Sequence, residues 1–217
     1  MKRIRRAYSK TVSLIDETAV QIYQSFVGKR KGFLLESYDK NNGRYVFMGK
    51  NPEEVIKSKE NGLVIEKEDG TTKELSGNPV DLLKGYYSDF EIRKDDEQLA
   101  FTGSLVGGLG YDFVRYKEEL PDNNPDEIGI STILLMLVTE FLSIDHFAET
   151  MTAVVVEDDT EAGRKKAMFR CEEMVKEAFA NIRKDEKSEF QPDGKIIKQS
   201  DTLEEYSEKV NKIKQKK

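Results

Sequence analysis

The sequence predicts an α+β fold in which antiparallel β-sheets, arranged like a sandwich, carry peripheral helices. Two observations lead to this prediction. Short segments of alternating apolar and polar residues are joined by turn-forming residues, a pattern typical of β-hairpins. Helical periodicity is confined to a few segments that do not alternate regularly with strands, so a parallel sheet built from β-α-β units is not expected.

Composition narrows the functional classes. The 217 residues are 37% hydrophobic and 35% charged, with a net charge of −6, and a mixed acidic surface argues against nucleic acid as a partner. The single cysteine, Cys171, excludes an intrachain disulfide and is typical of a reducing cytoplasm. The apolar run Ile133–Val138 is too short to cross a membrane. The basic residues 2–6 have no long apolar segment behind them, so we interpret them as a surface arm rather than a signal peptide.

The first half of the chain contains three sets of local signals. Residues 16–18 can cap a short helix. Gly32–Glu36 and residues 44–49 are predicted strands of a hairpin, because the turn-forming residues 39–43 separate them. Asn51 followed by Pro52 predicts the start of another helix, since Asn caps helices and Pro is favoured at the first helical position.

A second hairpin, another helix and a glycine-rich strand follow. Residues 63–67 and 72–75 flank a Glu-Asp-Gly turn and are predicted strands. Asn78 and Pro79 repeat the capping signal before an apolar helical face that extends to Phe90. Residues 101–110 are predicted to form a strand interrupted by glycines.

The second half changes from strand to helix periodicity. Residues 111–120 are predicted to be helical. Residues 132–144 and 151–157 are predicted strands joined by a turn. From Thr160 onward a long amphipathic helix is expected. Thr202 begins a capping box with Glu205, which opens a last helix that has no C-terminal capping signal.

No catalytic constellation emerges from these residues alone. Cys171 has the spacing of a core residue and lacks an electropositive neighbourhood. His146 is the only histidine, which excludes a multi-histidine metal site, and a turn role suits it better than catalysis. The glycines at 103, 107, 108 and 110 do not fit a phosphate-binding fingerprint, so close packing of the backbone is the favoured interpretation. No residue is therefore assigned a catalytic role.

Three segments resemble one known family. Residues 33–37 (FLLES) with residues 43–52 (GRYVFMGKNP), residues 101–115 (FTGSLVGGLGYDFVR) and residues 141–146 (FLSIDH) are similar, in order and spacing, to the amino-terminal region of anthranilate synthase component I, a chorismate-utilising enzyme. The resemblance covers nearly the whole chain. It implies an amino-terminal domain over residues 1–185. Residues 186–217 would then be a linker and the first helix of a truncated chorismate-binding domain.

The resemblance also implies an activity for the parent enzyme. That family converts chorismate to anthranilate in tryptophan biosynthesis, uses Mg²⁺, and receives ammonia from a glutamine amidotransferase partner. Its chorismate and metal residues lie in the carboxyl-terminal half. The present chain is therefore expected to be inactive by itself, with no metal site of its own.

Resemblance further implies a tryptophan feedback site, with tryptophan as the inhibitor. It would be lined by five residues of the first hairpin: Leu35, Glu36, Ser37, Arg44 and Tyr45. Glu36 or backbone carbonyls could receive the ligand's ammonium group, Arg44 could steady a charge, and Leu35 could flank the indole ring. Without the resemblance, the same residues would fit an ordinary hairpin.

Two alternatives to the anthranilate synthase interpretation stay open. The corresponding part of aminodeoxychorismate synthase component I, from the folate pathway, shares the first motif. A non-catalytic ligand-binding or interaction module is the other alternative. Product analysis of the full-length enzyme separates the first alternative, and the downstream reading frame separates the second.

Overall fold

The computed structural model describes residues 3–36, 43–121, 127–182 and 201–215. The chain divides into two compact units, Met1–Arg183 and Lys184–Lys217. Most of the predicted turn at residues 39–43 lies outside the described residues. Ser37 and the polar segment 184–198 lie entirely outside them. None of the described helices combines the length and apolarity needed to span a membrane.

The first unit contains eleven strands among its described residues. They are β1 (Arg3–Ser13), β2 (Gly32–Glu36), β3 (Tyr45–Lys50), β4 (Glu54–Lys59), β5 (Gly62–Lys67), β6 (Thr72–Ser76), β7 (Phe90–Lys94), β8 (Ser104–Leu109), β9 (Ile133–Val138), β10 (Glu140–Asp145) and β11 (Thr150–Asp158). Its helices are α1 (Ala19–Phe26), α2 (Pro79–Ser88) and α3 (Glu161–Ala180), with a 3₁₀ helix at Tyr111–Tyr116. The second unit contains α4 (Leu203–Lys214).

These strands form two sheets. Sheet 1 has the order β2-β3-β10-β11-β1-β7, and sheet 2 has the order β6-β5-β4-β9-β8. All pairs are antiparallel except β1 with β7, which is parallel. The α+β prediction, with antiparallel sheets in a sandwich and helices at the periphery, is confirmed.

Three apolar clusters define the layers of the first unit. One face of sheet 1 packs on α1 and α3, where Ile22, Phe26 and Met174 are fully buried. The opposite face meets sheet 2 in a second cluster that contains Phe141 and Val106. The outer face of sheet 2 is covered by α2 and the 3₁₀ helix. The order of layers is therefore helix, sheet, sheet, helix.

The amino-terminal basic run is not a surface arm, and that expectation was wrong. Arg3–Ser13 is a strand that pairs with β11 on one side and with β7 on the other. Its arginines find distant carboxylates: Arg5 lies 2.6 Å from Glu53, and Arg6 lies 2.7 Å from Asp159. The strand was not predicted because its charged residues are neutralised by carboxylates that lie far away in the sequence.

Two predicted helices are also corrected. Asn51 does not cap a helix; it adopts a positive φ of 48° at a turn, and the following residues form β4. Residues 111–120 contain only the 3₁₀ helix, which ends at Tyr116. Phe113 and Tyr116 are three residues apart and both pack on sheet 2, a spacing that suits a 3₁₀ turn.

The predicted strand at residues 132–144 is two strands in different sheets. β9 pairs with β4 and β8 in sheet 2, whereas β10 pairs with β3 and β11 in sheet 1. The change occurs at Thr139, whose backbone oxygen accepts a hydrogen bond from Val156. β7 was missed because its short alternation follows α2 directly.

The helix-capping predictions are confirmed elsewhere. Thr18 and Gln21 form a capping box at α1, and Asn78 caps α2 with Pro79 at its first turn. Within the second unit, Thr202 and Glu205 form the capping box of α4. Cys171 lies on the buried face of α3, and burial raises the pKa of its thiol to about 12, which suits a core residue.

Candidate functional site

The first hairpin occupies one margin of sheet 1. Among the described strands, β2 pairs only with β3, in a register that places Leu35 opposite Phe47 and Glu36 opposite Val46. β3 in turn pairs with β10, with Tyr45 opposite Asp145. Within the described sheet, β2 is therefore an edge strand, whereas β3 is paired with a strand on each side.

The predicted ligand-binding residues are split between the two faces of this hairpin. Side chains alternate along a strand, so Leu35 and Tyr45 share the face of Phe47, which points toward sheet 2. Glu36 lies on the opposite face with Val46. Leu35 is 48% exposed. A ligand contacting both Leu35 and Glu36 would thus have to reach around the marginal strand.

Arg44 makes the strongest polar contact at this end of the sheet. Its Nε donates to both carboxylate oxygens of Asp145, at 3.1 and 3.0 Å, and its Nη2 donates at 2.6 Å. The backbone N–H groups of Phe147 and Ala148 donate to the same carboxylate. Asp145 is largely shielded from solvent, whereas Arg44 is about half exposed.

These contacts set the charge state of the pair. Hydrogen bonding from Arg44 holds the pKa of Asp145 below its ordinary value, with the two backbone N–H groups acting in the same direction. The guanidinium carbon of Arg44 also lies 4.9 Å from the ring centre of Tyr45 and 5.8 Å from that of Phe147. The position of the Arg44 side chain is therefore determined by one carboxylate and two aromatic rings.

A continuous series of aromatic rings runs inward from this point. Tyr45 stacks on Phe47 at 6.0 Å, Phe47 meets the edge of Phe101 at 5.6 Å, and Phe101 lies 4.9 Å from Phe141. Phe101 belongs to the glycine-rich segment that precedes β8. The series therefore connects the hairpin in sheet 1 with the segment that leads into sheet 2.

The three sequence segments identified by resemblance thus meet at one place. The hairpin contributes Arg44 and Phe47, the glycine-rich segment contributes Phe101, and the third segment contributes Phe141 and Asp145. Sequence reasoning did not identify Asp145 as the partner of Arg44. The only indication of this pair in the sequence was that Arg44 and Asp145 each lie beside a predicted turn.

Two predicted ligand-binding residues, Glu36 and Ser37, lie at the end of β2 and just beyond it. The side-chain carboxylate of Glu36 makes no ion pair or hydrogen bond with another residue of the described ranges. Ser37 lies outside the described residues. No group of three or more His, Cys, Asp or Glu side chains in the described part of the chain is arranged to hold a metal ion.

Comparison with known proteins identifies the family. The model of the chorismate binding enzyme family matches residues 32–217. The chain belongs to the chorismate-binding enzyme family. This confirms the family resemblance drawn from the hairpin and the glycine-rich segment.

Two curated relatives of this family member carry the same name. It is 33% identical over 141 residues to anthranilate synthase component 1 of Acetivibrio thermocellus, covering 64% of this chain and 28% of that protein. It is 26% identical over 210 residues to the protein of the same name from Mycolicibacterium smegmatis, covering 91% of this chain and 39% of that protein. The chain thus spans well under half the length of these relatives.

One solved structure is also similar to this family member. Anthranilate synthase component I from Streptococcus pneumoniae aligns with a TM-score of 0.49 and 22% sequence identity, over 76% of this chain and 36% of that one.

Proposed function

We propose that the chain is the amino-terminal regulatory and scaffold portion of an anthranilate synthase component I. The parent enzyme would convert chorismate and ammonia, supplied from glutamine by an amidotransferase partner, to anthranilate for tryptophan biosynthesis. The relatives from Acetivibrio thermocellus and Mycolicibacterium smegmatis, which carry that name, support this proposal. We propose no catalytic residue in this chain, and we assign the Mg²⁺ chemistry of the parent enzyme to residues other than those described.

The hairpin end would form part of a tryptophan feedback site. The single observation that carries this proposal is that polar atoms on both faces of the hairpin have no partner among the described residues, and that Leu35 on one of these faces is exposed. A ligand that uses all of them would reach around β2. Glu36 has no partner among the described residues, and Nη1 of Arg44 makes no hydrogen bond there, because Asp145 engages only Nε and Nη2. The ammonium group of an amino acid could pair with the carboxylate of Glu36, and its carboxylate could accept a hydrogen bond from Nη1 of Arg44.

The apolar part of the ligand would lie against Leu35 and Tyr45. These two side chains share one face of the hairpin, and Leu35 is about half exposed. Burial of an indole ring against them would contribute apolar contact area while the polar groups fix its orientation. Feedback would then be a coupling between this site and the chorismate site of the parent enzyme.

The test uses the full-length gene product that contains this chain. Anthranilate formation from chorismate and ammonium is measured while tryptophan is titrated. Glu36→Gln is expected to raise the half-inhibitory tryptophan concentration by about tenfold, because a charged hydrogen bond is lost, without changing the uninhibited rate. Glu60→Gln, an equal change at an exposed turn of sheet 2, is the matched control and should leave inhibition unaltered.

Two results would contradict different parts of the proposal. Chromatography that identifies aminodeoxychorismate as the product, in place of anthranilate, would assign the chain to the folate-pathway enzyme. Unchanged tryptophan inhibition in both Glu36→Gln and Leu35→Ala would remove the hairpin from the feedback site while leaving the enzyme assignment intact.

A further inference from the structure

A second concave region lies away from the Arg44 end of the hairpin. It is a half-open cavity of about 280 Å³ that is lined by the end of α2, by β7, by residues 99–105 and by Leu137 of β9. Its floor is formed by the buried residues Leu99, Gly103 and Leu137. Tyr87, Lys94 and Ala100 line it as well and are exposed, so they form its mouth.

The aromatic walls of this cavity are held in place by contacts behind them. Tyr86 and Phe90 are in ring contact at 5.1 Å, and the Arg3 guanidinium lies 5.2 Å from the Phe90 ring centre. The Tyr86 hydroxyl donates to Glu54, and burial together with this carboxylate raises the pKa of Tyr86 far above its ordinary value. The walls are thus preformed, which lowers the entropic cost of binding a ligand.

The floor has a backbone that only glycine adopts comfortably. Gly103 has φ of 86°, and a Cβ atom there would lie 2.7 Å from the backbone oxygen of Val138. The segment that carries Phe101 and Thr102 therefore passes close against β9 and then enters β8.

The mouth carries an uncompensated positive charge. Lys94 has no ion-pair partner in the part of the chain that the structure describes, and its acidic neighbour Asp95 is directed to Arg6 instead. Thr102 and Ser104 also line the cavity, and their hydroxyl groups make no hydrogen bond to another described residue. One cation and two hydroxyls beside an aromatic chamber are complementary to a carboxylate attached to an apolar ring.

We propose that this cavity is a binding site for a small carboxylic acid that carries a single apolar or aromatic ring. A cavity of about 150 Å³ accommodates benzene, so this one has room for a ring and a short chain that reaches Lys94. The ring would lie among Tyr86, Phe90 and Phe101, with the carboxylate at the mouth. The site is separate from the proposed tryptophan site, because the cavity is lined by none of Leu35, Glu36, Arg44 and Tyr45.

The test uses the 217-residue chain and 3-phenylpropionate as the probe, with 3-phenylpropanamide as its neutral counterpart. Calorimetry and ¹H–¹⁵N NMR titration are expected to detect binding of the acid, with shifts at residues 90–94 and 99–105. The amide should bind about tenfold more weakly because it lacks the charge that Lys94 receives. Lys94→Gln should weaken binding of the acid by about the same factor and abolish the difference in affinity between acid and amide.

Two further variants separate charge from shape. Lys84→Gln removes a charge from the exposed side of α2 without touching the cavity, and it should bind the acid like the unaltered chain. Ala100→Phe places a ring at the exposed mouth and should weaken both probes. The proposal would be overturned if the acid did not bind, or if acid and amide bound with equal affinity. It would also be overturned by an unchanged acid affinity in Lys94→Gln or by chemical-shift changes confined to other regions.

Discussion

The guanidinium of Arg44 and the carboxylate of Asp145 come from positions 101 residues apart, yet they form the best-defined polar contact of the hairpin end. The contact depends on β3 and β10 pairing in one register, in which Tyr45 lies opposite Asp145. At the scale of single residues, the sequence could name Arg44 as a candidate. The sequence could not identify the carboxylate that accepts hydrogen bonds from two nitrogen atoms of Arg44.

A titration of Asp145 tests this pair. Its carboxyl pKa, followed by NMR, should lie below the ordinary aspartate value and should rise in Arg44→Gln, because the main hydrogen-bond donor is removed. A carboxylate whose pKa is depressed by folding stabilises the protein above its unfolded-state pKa, and this contribution is lost as pH falls through the folded-state pKa. The stability difference between the two proteins should therefore be present at neutral pH and vanish in acid.

The control for this titration is Lys73→Gln, which removes a charge from sheet 2. It should leave the Asp145 titration unaltered. An Asp145 pKa that stays the same in Arg44→Gln would show that the two backbone N–H groups alone determine it.

Gly103 provides a second test at the residue scale. Gly103→Ala should lower the free energy of unfolding by at least about 2 kcal/mol, since it combines an unfavourable positive φ with a close approach to backbone. Gly85→Ala is the matched change on α2, where an added Cβ meets nothing, and should raise stability by about 0.5–1 kcal/mol. Chemical denaturation measures both, and a neutral Gly103→Ala would contradict the geometry.

At the scale of elements, α3 is joined to sheet 1 by a network of charges as well as by apolar packing. The buried Lys50 of β3 pairs with Glu177 of α3 and lies 4.1 Å from the Phe26 ring centre of α1. Arg170 of α3 bridges Glu177, at 2.7 Å, and Glu140 of β10, at 2.9 Å. Burial would raise the pKa of Glu177, but the hydrogen bonds from Lys50 and Arg170 outweigh it and lower that pKa.

Removing the buried cation should loosen this attachment. Lys50→Met is expected to cost about 2 kcal/mol, less than for a fully buried pair because Glu177 is partly exposed, and to lower Tm by roughly 5 °C. The loss should shrink as pH falls through the depressed pKa of Glu177. Lys59→Met, which breaks an exposed pair with Glu74, should change stability by less than about 0.5 kcal/mol. Equal effects of the two substitutions would contradict the role given to Lys50.

Elements differ in how far local sequence predicts them. Thr18, Asn78 and Thr202 marked their helices correctly because a cap acts within one turn. Asn51 carried the same signal and gave a wrong prediction, because the strand that follows it finds partners in β5 and β9. Tertiary pairing therefore overrides a local capping preference where the two conflict.

At the scale of the whole molecule, the arrangement of layers predicts where the fold is most resistant to opening. β10 and β11 lie inside sheet 1, with apolar clusters on both of their faces. Met151, Ala153 and Val154 of β11 are fully buried. Local opening of these strands would expose both clusters, so it should require nearly global unfolding.

Native-state hydrogen exchange checks this expectation. Amides of β1, β10 and β11 should exchange most slowly. Those of the four marginal strands, β2, β6, β7 and β8, should exchange faster, because each has one strand neighbour within the described sheets. Uniform protection across both sheets would contradict this layered order of stability.

The sequence by itself determined the fold class, the first hairpin, the capped helices and the family, since all of these depend on short-range patterns or on motifs. Only the tertiary structure decided that β1 pairs with β11, that residues 132–144 divide between two sheets, and that Arg44 meets Asp145. The physical reason is that alternation along a strand specifies which face is buried but not which distant strand completes its hydrogen bonds. The same holds for the cavity beside Lys94, whose walls come from α2, β7, β8 and β9, which meet only when both sheets have formed.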